Sequence, residues 1–184
     1  MDELLRSIQS KYPALAGYDW SVIDSRGKPS KHGGQIEFYS PDEQYNPTPG
    51  RPTVEVFNKD LQGDMLERAI FGDMLHYMPE ADEGFRGMRE KFRATLTPEQ
   101  LMVDRMSHKK SGDKRDFDKW MDISRLDSYL RGFLAPDAAN EWRDVYTDEQ
   151  KALLGEIDGY LRKPRQAATP SATGSMIDAM GLAR

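Results

Sequence analysis

Leu61–Met78 reads LQGDMLERAIFGDMLHYM, follows a short apolar run at Thr53–Phe57 (TVEVF), and meets a proline at Pro79. Its apolar residues, among them Leu66, Ile70, Phe71, Met74, Leu75 and Met78, recur every three or four positions and cover most of a helical circumference. A helix apolar on nearly all sides is a buried one, so this stretch is expected to be the central helix of the core, ended by Pro79. Gly72, Asp73 and His76 interrupt it. A missing side chain and two polar ones are unfavourable there, and such breaks concentrate where function or strain resides. Asp73 and His76 lie three apart, on one face and one turn removed.

Before the central helix, Asp2–Tyr12 puts Leu4, Leu5 and Ile8 on one helical face, with Asp2 and Glu3 at the positive end of the dipole and Pro13 beyond. Tyr18–Ile23 (YDWSVI), Gln35–Tyr39 (QIEFY) and Thr53–Phe57 read as short strands. Ser25–Gly34, which holds His32, reads as a loop, and Ser40–Pro52 carries four prolines, which fits neither helix nor central strand. That loop is either a binding surface or a cover for a sheet edge. The fold class expected is therefore α+β and predominantly α-helical: a sheet of about three strands packed on the central helix, followed by a helical C-terminal half.

That half starts at Asp82–Ala94, with Phe85, Met88 and Phe92 at helical spacing. Thr97-Pro98-Glu99-Gln100 (TPEQ) is a capping-box start for a helix through Leu101, Val103 and Met106 to about Lys109. Asp116 caps a run with Phe117, Trp120 and Met121 that continues through Tyr129 and Phe133 to Ala135-Pro136. Asp137–Tyr146 adds Trp142, and Thr147-Asp148-Glu149-Gln150 (TDEQ) starts a last helix through Leu154, Ile157 and Leu161. TPEQ and TDEQ read as shared helix-start signals, not as an internal repeat, because their flanks do not match. The aromatic positions fall on helical faces and are expected in the core.

The organisation that follows is one compact α+β domain over residues 1–162, a linker over 163–175 rich in Pro, Ala, Ser and Thr, and a short segment over 176–184. That segment recovers Met176, Ile177, Met180 and Leu182, the form of a tethered docking element for a protein partner.

Composition narrows the function. A formal net charge of −5 argues against a broad phosphate-binding face, so no nucleic-acid partner is expected; the basic clusters at His108–Lys110 and Arg162–Arg165 read as solvated helix ends. The absence of cysteine removes disulfides and thiolate chemistry. No run approaches the length of a membrane span, and the amino terminus has no basic-then-apolar leader pattern, so a soluble protein made in the cytoplasm is expected. No serine sits in a nucleophile elbow and no glycine loop has phosphate-binding spacing. Thirty-one acidic residues offer many carboxylate pairs and single out none.

Asp73 and His76 invite three readings. Gly72-Asp73-Met74-Leu75-His76 resembles the helix of zincin-like peptidases over Val54–Met78, with His76 as the second histidine and Asp73 in place of the general-base glutamate. The first histidine is replaced by Gly72, and zinc needs at least three protein ligands. The remaining imidazoles are His32 and His108; Glu80 or Asp82 are the acidic candidates for a third ligand. Under this reading the protein is a divergent zinc-dependent hydrolase acting on peptide or cell-wall material. The second reading is a pseudoenzyme on the same scaffold, and the third is a core pair in which Asp73 and His76 satisfy each other.

Gly72–Tyr77 (GDMLHY), with Pro79, Asp82 and Phe85 after it, is also similar to a segment of uncharacterised proteins encoded by bacteriophages and prophages. The resemblance extends over Thr53–Leu161 and takes in TVEVFN, TPEQ, FDKW, SRLDSYLRG and EWRDVYT. It implies a phage or prophage gene and a virion or assembly component, with no catalytic residue to carry over. The expectation is thus a non-catalytic, phage-associated structural or accessory protein that binds a protein partner, needs no cofactor, and is compatible with incorporation in an oligomeric particle. The metal-dependent hydrolase is the alternative, and an acidic inhibitor of a host protein is the third.

Overall fold

The structure is a computed structural model that describes residues 1–30, 34–112, 114–121, 126–134 and 146–164. Within them the chain is α+β and predominantly helical, as its periodicities predict, with a three-stranded sheet. Strands β1 (Ser21–Asp24), β2 (Ile36–Tyr39) and β3 (Thr53–Val56) lie in the order β1-β3-β2, with β1 parallel and β2 antiparallel to the central β3. The register sets Val22 and Phe38 either side of Val54, and Ile36 beside Val56. These side chains form the sheet's inner face and join the hydrophobic core. Strand β1 starts later than expected. Trp20 precedes it and donates its indole N–H to the Leu15 carbonyl of a 3-10 helix, Pro13–Gly17, at 2.8 Å.

Helix α1 (Asp2–Lys11) buries Ile8 and leads into that 3-10 turn. Helix α2 (Gly63–Ala81) is the central element, packed against the sheet, α1 and the later helices α3 (Glu83–Ala94) and α6 (Leu126–Leu134). Ile70, Met74, Leu75 and Met78 are fully buried, while Met65 in the first turn is 63% exposed, so the buried character belongs to the helix beyond that turn. Tyr12 stacks on Phe71 with centroids 4.3 Å apart, and Tyr77 meets Tyr18, Trp20 and Phe38 at 5.6–5.9 Å.

The expectation that Pro79 ends α2 is corrected: the helix runs on to Ala81. A proline so near the end forfeits one backbone hydrogen bond. The next turn is held by the Asp82 N–H donating to the Met78 carbonyl at 2.8 Å. What ends α2 is Asp82. It leaves helical geometry (φ −138°, ψ 106°) and turns its carboxylate to the Phe85 N–H as cap of α3 (Glu83–Ala94).

Helix α3 buries Phe85, Arg89 and Phe92 between α2 and α7 (Asp148–Leu161). Both expected capping boxes form, at Thr97 for α4 (Pro98–Ser111) and at Thr147 for α7 (Asp148–Leu161). Gly112 closes α4 in the left-handed region (φ +70°). Asp116 caps the short α5 (Phe117–Trp120), and α6 covers Leu126–Leu134. Helix α7 turns Gln150, Leu154, Ile157 and Leu161 inward and packs on α3 and the 3-10 helix. Arg162, just past its end, covers the Tyr12 ring at 5.5 Å. His32, Trp142 and the docking residues Met176, Ile177, Met180 and Leu182 lie outside the described residues, as does nearly all of the 163–175 linker.

The proline-rich loop between β2 and β3 is ordered around one side chain. Buried Asn46 donates its amide to the Ser40 and Arg51 carbonyls at 2.9 and 2.7 Å and accepts from the Thr48 N–H at 2.8 Å. Arg51 ties the loop to the residues just before β1 through the carbonyl of Trp20 and the carboxylate of Asp19. Tyr45 stands 53% exposed on it.

Candidate functional site

Helix α2 brings Asp73 and His76 together as their spacing requires: Asp73 Oδ1 lies 3.5 Å from His76 Nε2. Both are partly buried, at 15% and 25% exposure, and Gly72 beside them is buried. At that distance the contact is at the outer edge of hydrogen bonding, and it is an ion pair only when the imidazole is protonated. Chemically the pair offers a carboxylate orienting an imidazole, or two donors toward a metal.

The other proposed ligands have their own positions. Asp82 Oδ1 accepts from the Phe85 N–H at 3.0 Å and from the Tyr160 hydroxyl at 2.5 Å, which engages it in capping and in tying α3 to α7. His108, on α4, bonds the Arg115 carbonyl through Nε2 at 2.9 Å and packs on Phe117 and Trp120. The Glu80 side chain and His32 lie outside what is described. Among the described residues no group of three or more His, Asp or Glu side chains is arranged to hold a metal ion, and zinc would need at least one protein ligand besides Asp73 and His76.

The sheet's outer face singles out a carboxylate pair that sequence alone does not. Glu37 and Glu55 are register partners across β2 and β3. Tyr39 donates its hydroxyl to Glu37 Oε2 at 2.5 Å, Ser30 donates to Glu37 Oε1, and Ser25 donates to Glu55 Oε1 at 2.5 Å. Like charges directly opposed across a sheet are destabilising, and these hydroxyls offset that repulsion. Burial, with the hydrogen bond to Glu37 second, pushes the Tyr39 phenol well above its ordinary value of 10.0.

Helix α4 carries the feature the sequence reading missed. Its buried positions are polar: Gln100 is 7% exposed and Asp104 fully buried. Its outward positions are apolar: Met102, Val103 and Met106 are 58%, 51% and 52% exposed. At about 100° per residue these two sets fall on roughly opposite sides of the helix. The buried side is held by hydrogen bonds. Gln100 and Gln150 exchange amide bonds, and the Tyr129 hydroxyl donates to Asp104 Oδ2 at 3.0 Å. The equivalent inward positions on α7 are Gln150, Leu154, Ile157 and Leu161, an ordinary apolar face after the first residue. Helix α4 is thus patterned inside out. The readable signal was the stripe Met102-Val103-Met106 out of phase with the capping-box glutamine.

No family model, no curated protein and no solved structure matches this chain.

Proposed function

We propose that this protein is a phage-associated interaction component, structural or accessory in a virion or its assembly, that acts by binding other protein surfaces and not by catalysis. The observation that carries the reading is the outer face of α4. Three large apolar side chains stand together in water on a helix whose buried side is polar. Contiguous exposed apolar residues on a folded domain mark an interaction surface, and methionine adapts to varied partners. The resemblance of Thr53–Leu161 to phage and prophage proteins supplies the context, and the segment holding Met176, Ile177, Met180 and Leu182 supplies a second attachment point.

The test is whether the chain is found in purified particles or assembly intermediates of the phage or prophage that encodes it, by mass spectrometry, and whether Met102→Glu with Met106→Glu removes it from them. Absence of the wild-type chain from particles and intermediates alike overturns the reading.

The Asp73–His76 contact favours one second reading, the divergent metal-dependent hydrolase with His76 as ligand and Asp73 as base. It requires zinc retained by the purified protein and lost on His76→Ala.

A further inference from the structure

We infer that the outer face of α4 pairs with the same face of a second copy of this chain, antiparallel about a two-fold axis. The inference rests on the reading of that face as an interaction surface and names its occupant. Glu99, Met102, Met106 and Lys110 follow one another at spacings of three or four, and Val103 lies four from Glu99 and three from Met106, which makes one stripe along the helix. All five are exposed. The acid stands at the first turn, the apolar residues fill the middle, and the base stands in the last turn, with Lys109 beside it. Among the described residues, Glu99, Lys109 and Lys110 make no ion pair within the chain.

A stripe with acid at one end and base at the other is complementary to itself when reversed. A second α4 laid antiparallel sets Glu99 opposite Lys110 of the partner subunit and Lys110 opposite Glu99 of the partner subunit. Val103 and Met106 then meet Met106 and Val103 of the partner subunit at the centre. This is the isologous arrangement of a two-fold dimer, where one patch serves both sides. A parallel pairing sets acid against acid and base against base, which the charges oppose. The helix is about 21 Å long, so the contact falls below the standard protein interface in size and the dimer is weak and salt-sensitive.

The test is sedimentation velocity of the full chain over a concentration series into the high-micromolar range, at low and high salt. The expected result is a reversible monomer–dimer equilibrium that shifts toward monomer as salt rises. Met106→Glu is expected to weaken it more than tenfold. Glu99→Lys and Lys110→Glu are each expected to weaken it about fivefold. The double variant, Glu99→Lys with Lys110→Glu, is expected to recover wild-type association, because reversing both charges restores the match. All these positions are exposed, and circular dichroism and thermal melting unchanged from wild type verify the fold. A monomer at every concentration overturns the inference. So does a dimer indifferent to Met106→Glu, or single charge reversals that the double variant does not rescue. A monomer whose Met102→Glu, Met106→Glu variant is lost from phage particles overturns self-pairing alone and leaves the interaction reading standing.

Discussion

Gln100 and Gln150, fifty residues apart, hold each other through two amide hydrogen bonds of 3.0 and 2.8 Å. Each is also the third residue of a capping box, so each Oε1 accepts from its own helix-start N–H as well, at 2.9 Å for Thr97 and 3.1 Å for Thr147. Gln150 Nε2 donates further to the Thr95 carbonyl at 2.9 Å. Two helix starts are thereby joined back to back, and α4 is fixed to α7 by amides where most helices use apolar side chains. Replacing Gln150 by Ala leaves the Gln100 amide buried with partners missing and removes half of its own cap. The expected loss is about 2–4 kcal/mol, summing a buried unsatisfied group and a lost cap. Urea denaturation reads it. A double-mutant cycle with Gln100→Ala should show coupling of about 1 kcal/mol or more, because each single change already breaks the shared bonds.

Gly84 on α3 poses a contest between propensity and space. Alanine is favoured over glycine within a helix by about 1 kcal/mol. A Cβ at Gly84, however, would stand 2.6 Å from the Tyr160 hydroxyl and 3.3 Å from Asp82 Oδ1. Tyr160 cannot swing clear freely, since its hydroxyl is bonded to Asp82 and its ring packs beside Phe85. Gly84→Ala is therefore expected to destabilise by about 1–2 kcal/mol net, by overpacking and loss of a charge-assisted hydrogen bond. A melting midpoint unchanged or raised would mean that propensity wins.

Much of this architecture is legible from local signals. The strands, the capping boxes and the central helix come from alternation, side-chain chemistry and apolar girth, all of which act over a few residues. Three things are not. Pro79 is a helix breaker by rule, yet so near the helix end it forfeits one backbone bond, and the Asp82 N–H still closes on the Met78 carbonyl. TPEQ and TDEQ read as shared start signals and not as a repeat because their flanks differ, while the contact between them depends on three-dimensional placement. Leu101, Val103 and Met106 read as ordinary apolar helix positions, since sequence cannot say which side of α4 faces inward when both carry candidates. The candidate site divides the same way: Asp73 and His76 meet because i, i+3 spacing dictates it, whereas the Glu37–Glu55 opposition depends on strand register.

Alkaline pH should act through Tyr39. Its folded-state pKa is raised above the ordinary value of 10.0, so its contribution is fully present below that pH. Above it the unfolded chain ionises first, and stability falls as pH rises toward the folded value. An ionised phenolate facing Glu37 and Glu55 would lose its hydrogen bond and add repulsion. Stability measured by urea unfolding is expected to be level to about pH 9 and to decline beyond pH 10. Tyr39→Phe should lower stability at neutral pH and flatten part of that decline. The Tyr12 phenol, also raised by burial, accounts for some of the remainder. An identical alkaline slope in Tyr39→Phe would contradict the assignment.

His76 separates the scaffold reading from the hydrolase reading. His76 is three-quarters buried beside Asp73 at 3.5 Å, so His76→Ala should lower stability by about 1–2 kcal/mol through lost packing and a lost polar contact, whether or not zinc is present. A zinc ligand behaves differently. Metal that binds only the folded chain adds about 2.7 kcal/mol at a hundredfold excess over its dissociation constant, and removing a ligand abolishes that gain. Thermal melts of wild type and His76→Ala, each with and without zinc, measure both quantities. The expected outcome is a small shift for His76→Ala that is the same in the two conditions. Zinc stabilisation present in wild type and absent in His76→Ala would instead assign the pair to metal binding. To serve as the third donor, Asp82 would have to give up its bonds to the Phe85 N–H and the Tyr160 hydroxyl, and His108 its bond to the Arg115 carbonyl.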